Sequence, residues 1–131
     1  AGAARIEHGV GMSFEAAIGE RLRGLCDGRC WPDLRPVGVS QTLPFVTWQQ
    51  IGGQVVSFLE GGHPGLRNAR IQINTWDATR LGANQLMRAI EVEILGTPSL
   101  QATAIGALTA TYDQAVKLHG ARQDFSVWLA D

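Results

Sequence analysis

Apolar residues along this chain recur with two different periods, and the switches between them divide it into helical and extended segments. Phe14, Ala17, Ile18, Leu22 and Leu25 follow the helical spacing, with Glu15 and Glu20 off that stripe. Ser13 stands where a helix N-cap belongs, and Cys26-Asp27-Gly28 closes the segment. A second helix starts at Asp77 or Thr79. Its inward stripe is Ala83, Leu86, Met87, Ile90 and Ile94; Arg80, Asn84, Arg88 and Glu91 face water, and Gly96 and Pro98 end it. Between the helices the pattern is extended. Leu43 to Ile51 and Gln54 to Leu59 read as strands joined at Gly52-Gly53, and Asn68 to Trp76 reads as a third strand after the turn-formers Glu60 to Gly65. Ala102 to Tyr112 and His119 to Leu129 complete the set, with Asp113 to Lys117 as the turn between them. Cys30 to Thr42, with Pro32, Pro36 and Gly38, reads as a loop along the sheet surface anchored by Trp31.

The two-residue period of a strand assigns faces. Ala69, Ile71 and Ile73 point one way, while Arg70, Gln72, Asn74 and Trp76 point the other. In the last strand Phe125, Val127 and Leu129 are inward, and Asp124, Ser126 and Trp128 are outward. Two tryptophans thus stand on the polar side of the sheet, where they need cover from the chain's own 30–42 loop or from another subunit. The run from Leu43 to Gln50 is less regular, because Phe45 and Val46 fall on opposite faces. Trp48 and Trp31 are therefore expected to be internal anchors.

The order helix, three strands, helix, two strands predicts an α+β fold, a mainly antiparallel sheet of four or five strands with both helices on one face. The first three strands would form a meander. Its polar face would be left free of helices.

At 131 residues the chain has the scale of one domain, expected over residues 12–131. Ala1 to Gly11 read as a leader or expression remnant, disordered, with Met12 as the natural start. Hydrophobic residues make up 45% and charged residues 18%, with a net charge of -1, which argues against binding a polyanion through bulk charge. Arg21 with Arg23 and Arg67 with Arg70 are local pairs that do not amount to a basic patch. No apolar run approaches the roughly 18 residues of a membrane span, so the expectation is a cytoplasmic chain that binds neither membrane nor sequence-specific nucleic acid.

Candidate chemistry is sparse. His8, His63 and His119 are scattered, and no metal site is expected. Cys26 and Cys30 are four apart, fit neither a two-residue redox spacing nor a four-ligand zinc site, and read as reduced structural thiols. Glu91 and Glu93 point about 200° apart around a helix and read as solvated charges. Gly61-Gly62-His63-Pro64-Gly65 lacks the Gly-Lys-Ser/Thr ending of a phosphate loop and precedes a strand. No catalytic residue, cofactor or metal is assigned. Two other classes stay open: a small-ligand binding module using the space between sheet and helices, and a hydrolase or transferase in which His63 or His119 meets a cysteine or carboxylate.

The chain resembles the tail completion family of long-tailed bacteriophages, which includes tail terminator and head-to-tail joining proteins. The residues that carry the resemblance are Met12 to Ile18, Trp31-Pro32-Asp33, Leu43-Pro44-Phe45-Val46 with Gln49, Arg70-Ile71-Gln72-Ile73, and Gln123 to Trp128, in order over about residues 12–130. What this implies is a non-enzymatic virion part, at home in phages, prophages or gene transfer particles and assembled in the bacterial cytoplasm. It would form a ring, usually of six subunits, that caps the tail tube and joins it to the head connector or stopper protein. The expected contact residues with neighbours are Trp76, Trp128, Arg70, Gln72, Glu60, His63 and Arg67. The 60–67 loop is expected to order on contact.

Overall fold

The computed structural model describes residues 13–39, 41–55 and 66–130. Helix α1 spans Phe14–Leu22, with the Ser13 hydroxyl accepting from the Ala16 N–H at 3.1 Å and Glu15 placed favourably in the first turn. A short 3-10 turn, Arg23–Leu25, follows. Asp27 and Gly28, both at positive φ, then turn the chain away from the helix. Helix α2 spans Arg80–Leu95. Thr79 rather than Asp77 caps it: the Thr79 hydroxyl accepts from the Gly82 N–H at 3.0 Å, while Asp77 accepts from the N–H of Ala78.

Five strands form one sheet in the order β1-β2-β3-β5-β4. They are β1 Cys30–Pro32, β2 Phe45–Gln50, β3 Leu66–Asp77, β4 Thr103–Asp113 and β5 Leu118–Ala130. The pair β1/β2 is parallel and the other three pairs are antiparallel, so the sheet is mixed. The predicted order of elements holds, as does the α+β class.

Two segments are built differently from the expectation. The 30–42 segment, expected as a loop, opens with β1. Three residues are too few to show a period, and what makes them a strand is pairing: Val46 donates to the Arg29 carbonyl at 2.9 Å and Asp33 to the Trp48 carbonyl at 2.7 Å. The Gly52-Gly53 hairpin turn is not formed. The chain instead runs on beside β3, with Ile51 donating to the Arg70 carbonyl, Arg70 donating to the Gly52 carbonyl, and Gln54 donating to the Asn68 side chain. Gly53 has φ 150°, and a Cβ there would lie 2.6 Å from the Asn68 carbonyl oxygen, so these glycines permit close backbone approach rather than reversal. Gln54 and Val55 are outside any strand, and the rest of the expected 54–59 strand lies outside the described residues. The second neighbour of β3 is accordingly β5, and the expected meander is absent.

Both helices cover one face of the sheet. Ala69, Ile71, Ile73, Phe125 and Val127 meet Ile18, Leu22, Met87, Ile90 and Ile94 there in one buried layer. Two polar side chains in this layer are satisfied. Thr75 donates to the Ala83 carbonyl at 2.9 Å, and Gln123 donates to Glu91 at 3.2 Å and to the Gly106 carbonyl at 3.0 Å. Glu91 is thus a partner of the sheet, where the helical period placed it in water. Glu93 reaches Arg21 of α1 at 3.8 Å.

Trp48 explains the irregular run in β2. Val46 and Trp48 point toward the helices, and Phe45 and Thr47 point away, yet all four are buried because both sides of this strand are covered. The Trp48 ring packs on α1 at Gly19, where an added Cβ would sit 3.2 Å from it.

Candidate interaction face

The face of the sheet opposite the helices carries the residues that the sequence placed outward. The register sets Trp76 beside Gly120 on β5 and Phe45 on β2, and sets Gln72 beside Asp124 and Arg70 beside Ser126. Directly opposed residues share a face, so these side chains form one surface with Asn68, Asn74 and Trp128. Arg70 grips Asp124 through two donors, Nε at 3.0 Å and Nη2 at 2.7 Å, and the remaining polar groups are mostly neutral.

One end of this face is aromatic. Trp31 and Phe45 lie 6.1 Å apart between ring centroids, Phe45 and Trp76 lie 6.5 Å apart and nearly parallel, and the Arg35 guanidinium sits 4.2 Å over Phe45. Beside this row is a cleft of about 360 Å³, closed by Asp33, Leu34 and Arg35 on one side and by Asp113, Val116 and Leu118 on the other. Trp76 also lies on Gly120, where a Cβ would come within 2.9 Å of its ring. The chain's own 33–35 segment thus borders the cleft that Trp76 lines. Trp31, expected as an internal anchor, is a partly exposed member of the same row.

The other end is polar. A cleft of about 650 Å³ runs between the Ile51 to Gln54 extension and β4, floored by Asn68, Arg70 and Ser126. Asn68 donates to the Ser126 hydroxyl at 2.9 Å and to the Val127 carbonyl at 3.0 Å, holding this end together. Trp128, paired with Asn68 in register, is partly buried. Both clefts lie on the open face, and neither enters the layer between sheet and helices.

Of the contact residues named from the sequence, Trp76, Trp128, Arg70 and Gln72 share this face. Arg67 does not: it pairs with Leu129 on the helix side, and its guanidinium lies 5.3 Å from the Phe14 ring. Glu60 and His63 lie outside the described residues. Phe45, Arg35 and Gly120 are not among the contact residues expected from the sequence. A glycine inside a strand is the one signal that pointed to Gly120, because such a position commonly marks a close approach.

Among the described residues no group of three His, Cys, Asp or Glu side chains is placed to hold a metal ion. His119 faces Asp77 across the β3/β5 pair and packs on Tyr112 at 4.7 Å. The Asp77 carboxylate is engaged with the start of α2. Cys30, on β1, stands three strand spacings from β5, about 14 Å away. That distance separates the Cys30 thiol from the imidazole.

The tail completion protein gp17 family matches residues 17–130. The chain belongs to that family. Its members are structural components of phage tails, and the matched span includes every strand of the sheet and all of α2. Comparison with curated proteins gives no match.

Proposed function

We propose that this protein forms a ring, of six subunits by the family resemblance, that caps the tail tube and meets the head connector or stopper protein. The observation that carries the reading is a sheet face over which no described helix lies, bearing Trp76 and Trp128 among polar residues that include the Arg70–Asp124 pair and Arg122, in a chain of a tail completion family. A closed ring needs two different surfaces on each subunit, because one face must meet a different face of the next. The edge of β4 is a candidate for the second. From Thr103 to Tyr112 it has no charged residue and no proline, and the protection it carries is the irregularity between Ile105 and Thr109. The opposite edge, β1, is only three residues long and ends at Pro32, which has no N–H to offer. The surfaces that the ring reading requires are thus an open face and one open edge.

Mass in solution measured across a dilution series, together with imaging of the protein added to tails that lack it, tests the proposal. Rings on tail ends, weakened by Trp128→Asp with the fold intact, are expected. A strict monomer that never joins a tail would refute it.

The small-ligand reading loses its main support, because the layer between sheet and helices is filled by side chains with no exposure to solvent.

A further inference from the structure

Cys26 and Cys30 flank the turn that carries the chain from the end of α1 into β1. The turn is tight: Arg29 donates to the Cys26 carbonyl and Cys30 to the Gly28 carbonyl, both at 2.9 Å, and Asp27 and Gly28 take positive φ. It brings the two thiols together, close enough for each to shift the ionisation of the other. Their surroundings differ. Cys26 is buried in the core, where its thiol donates to the Leu22 carbonyl at 3.5 Å. Cys30 packs on the core from its margin and keeps part of its surface open to solvent. Both are free.

We propose that Cys26 and Cys30 form a dithiol site that reacts with low-molecular-weight disulfides, with Cys30 as the attacking thiol and Cys26 as the resolving one. In the first step the Cys30 thiolate attacks one sulfur of the external disulfide, forming a mixed disulfide and releasing one small thiolate. In the second step Cys26 gives up its proton to solvent, and its sulfur attacks Cys30 Sγ, expelling the other small thiolate and closing the Cys26–Cys30 bond. Two protein thiols are oxidised and one external disulfide is reduced to two thiols, so the electrons balance.

The electrostatics support this order. When Cys30 ionises, a hydrogen bond from the Cys26 thiol to the thiolate, helped by Arg23 nearby, outweighs burial and brings Cys30 down to about 7. Cys26 is pushed far up, first by that same hydrogen bond and then by burial, and stays protonated until Cys30 is blocked. Once a mixed disulfide removes the Cys30 charge, the hydrogen bond that held the Cys26 proton is lost. The closed bond would tie the end of α1 to the edge strand that bears Trp31, at the aromatic end of the open face.

The test exposes the folded full chain to oxidised glutathione at pH 7 and follows free thiols and intact mass, with peptide mapping of the product. Wild type is expected to lose both thiols, retain no glutathione, and regain both thiols with dithiothreitol. Cys26→Ser should hold one glutathione at Cys30, and Cys30→Ser should leave Cys26 reduced. The initial rate should rise with pH and level off just above about 7 rather than near the ordinary thiol value. Retention of glutathione on wild type, a crosslink between chains, or two thiols still free after prolonged exposure would each overturn the proposal. Because mapping of wild type alone decides it, failure of a variant to fold does not obscure the answer. The outcome is also independent of whether the chain forms rings.

Discussion

Gly120→Ala is the sharpest probe of how the open face is built. In an unobstructed strand the change should stabilise, since glycine there costs about 0.5–1 kcal/mol relative to alanine. Here the new Cβ would fall 2.5 Å from the Thr111 hydroxyl and 2.9 Å from two carbons of the Trp76 ring, well inside contact distance. Overpacking of a filled site costs about 1–3 kcal/mol, so the net expectation is a loss of about 1–2 kcal/mol. For a chain of this size that lowers Tm by roughly 4–8 °C. Thermal and urea unfolding followed by circular dichroism measure the loss, and the near-ultraviolet spectrum reports displacement of Trp76. In a Trp76→Ala, Thr111→Ala background the obstruction is gone, and Gly120→Ala should change sign and stabilise. A single variant as stable as wild type, or the same loss in both backgrounds, would refute the packing of Trp76 on Gly120.

Other positions have similarly definite expectations. Gly53→Ala meets the Asn68 carbonyl at a strained φ, and urea unfolding should show a loss of about 2 kcal/mol or more. Thr79→Ala removes the cap of α2 and should cost about 1 kcal/mol in the same assay. Asp124→Asn breaks the Arg70 pair, half of which is exposed, so the cost should stay within about 1 kcal/mol and shrink as salt rises in a thermal melt series.

The legibility of this chain follows from the range of its contacts. The helical stripes of α1 and α2, the Ser13 cap, and the alternation in β3 and β5 depend on neighbours a few residues away, and sequence periodicity reports them. That is also why Arg70, Gln72, Trp76 and Trp128 were placed on one face. The Cys30–Pro32 strand was not legible, since it exists only through pairing with β2. The glycine pair was misread for a related reason: Gly52-Gly53 allows a turn or a close approach, and only the position of Asn68 selects the second. Arg67, expected in the 60–67 loop, is the second residue of β3, where the pairing with Leu129 extends the strand beyond its clear alternation.

What the sequence by itself determined was the α+β class, the order of elements, the inward faces, the paucity of catalytic motifs and the family, all of which rest on local pattern and residue order. Tertiary structure alone decided the strand order β1-β2-β3-β5-β4, the row of Trp31, Phe45 and Trp76, the two clefts and the contact between the cysteines. Those features join residues far apart in the chain or hold them across a turn whose geometry depends on its surroundings. A one-dimensional period carries no record of which strands become neighbours. That choice, made when the helices cover one face and leave the other, is what turns two outward tryptophans into opposite ends of one surface.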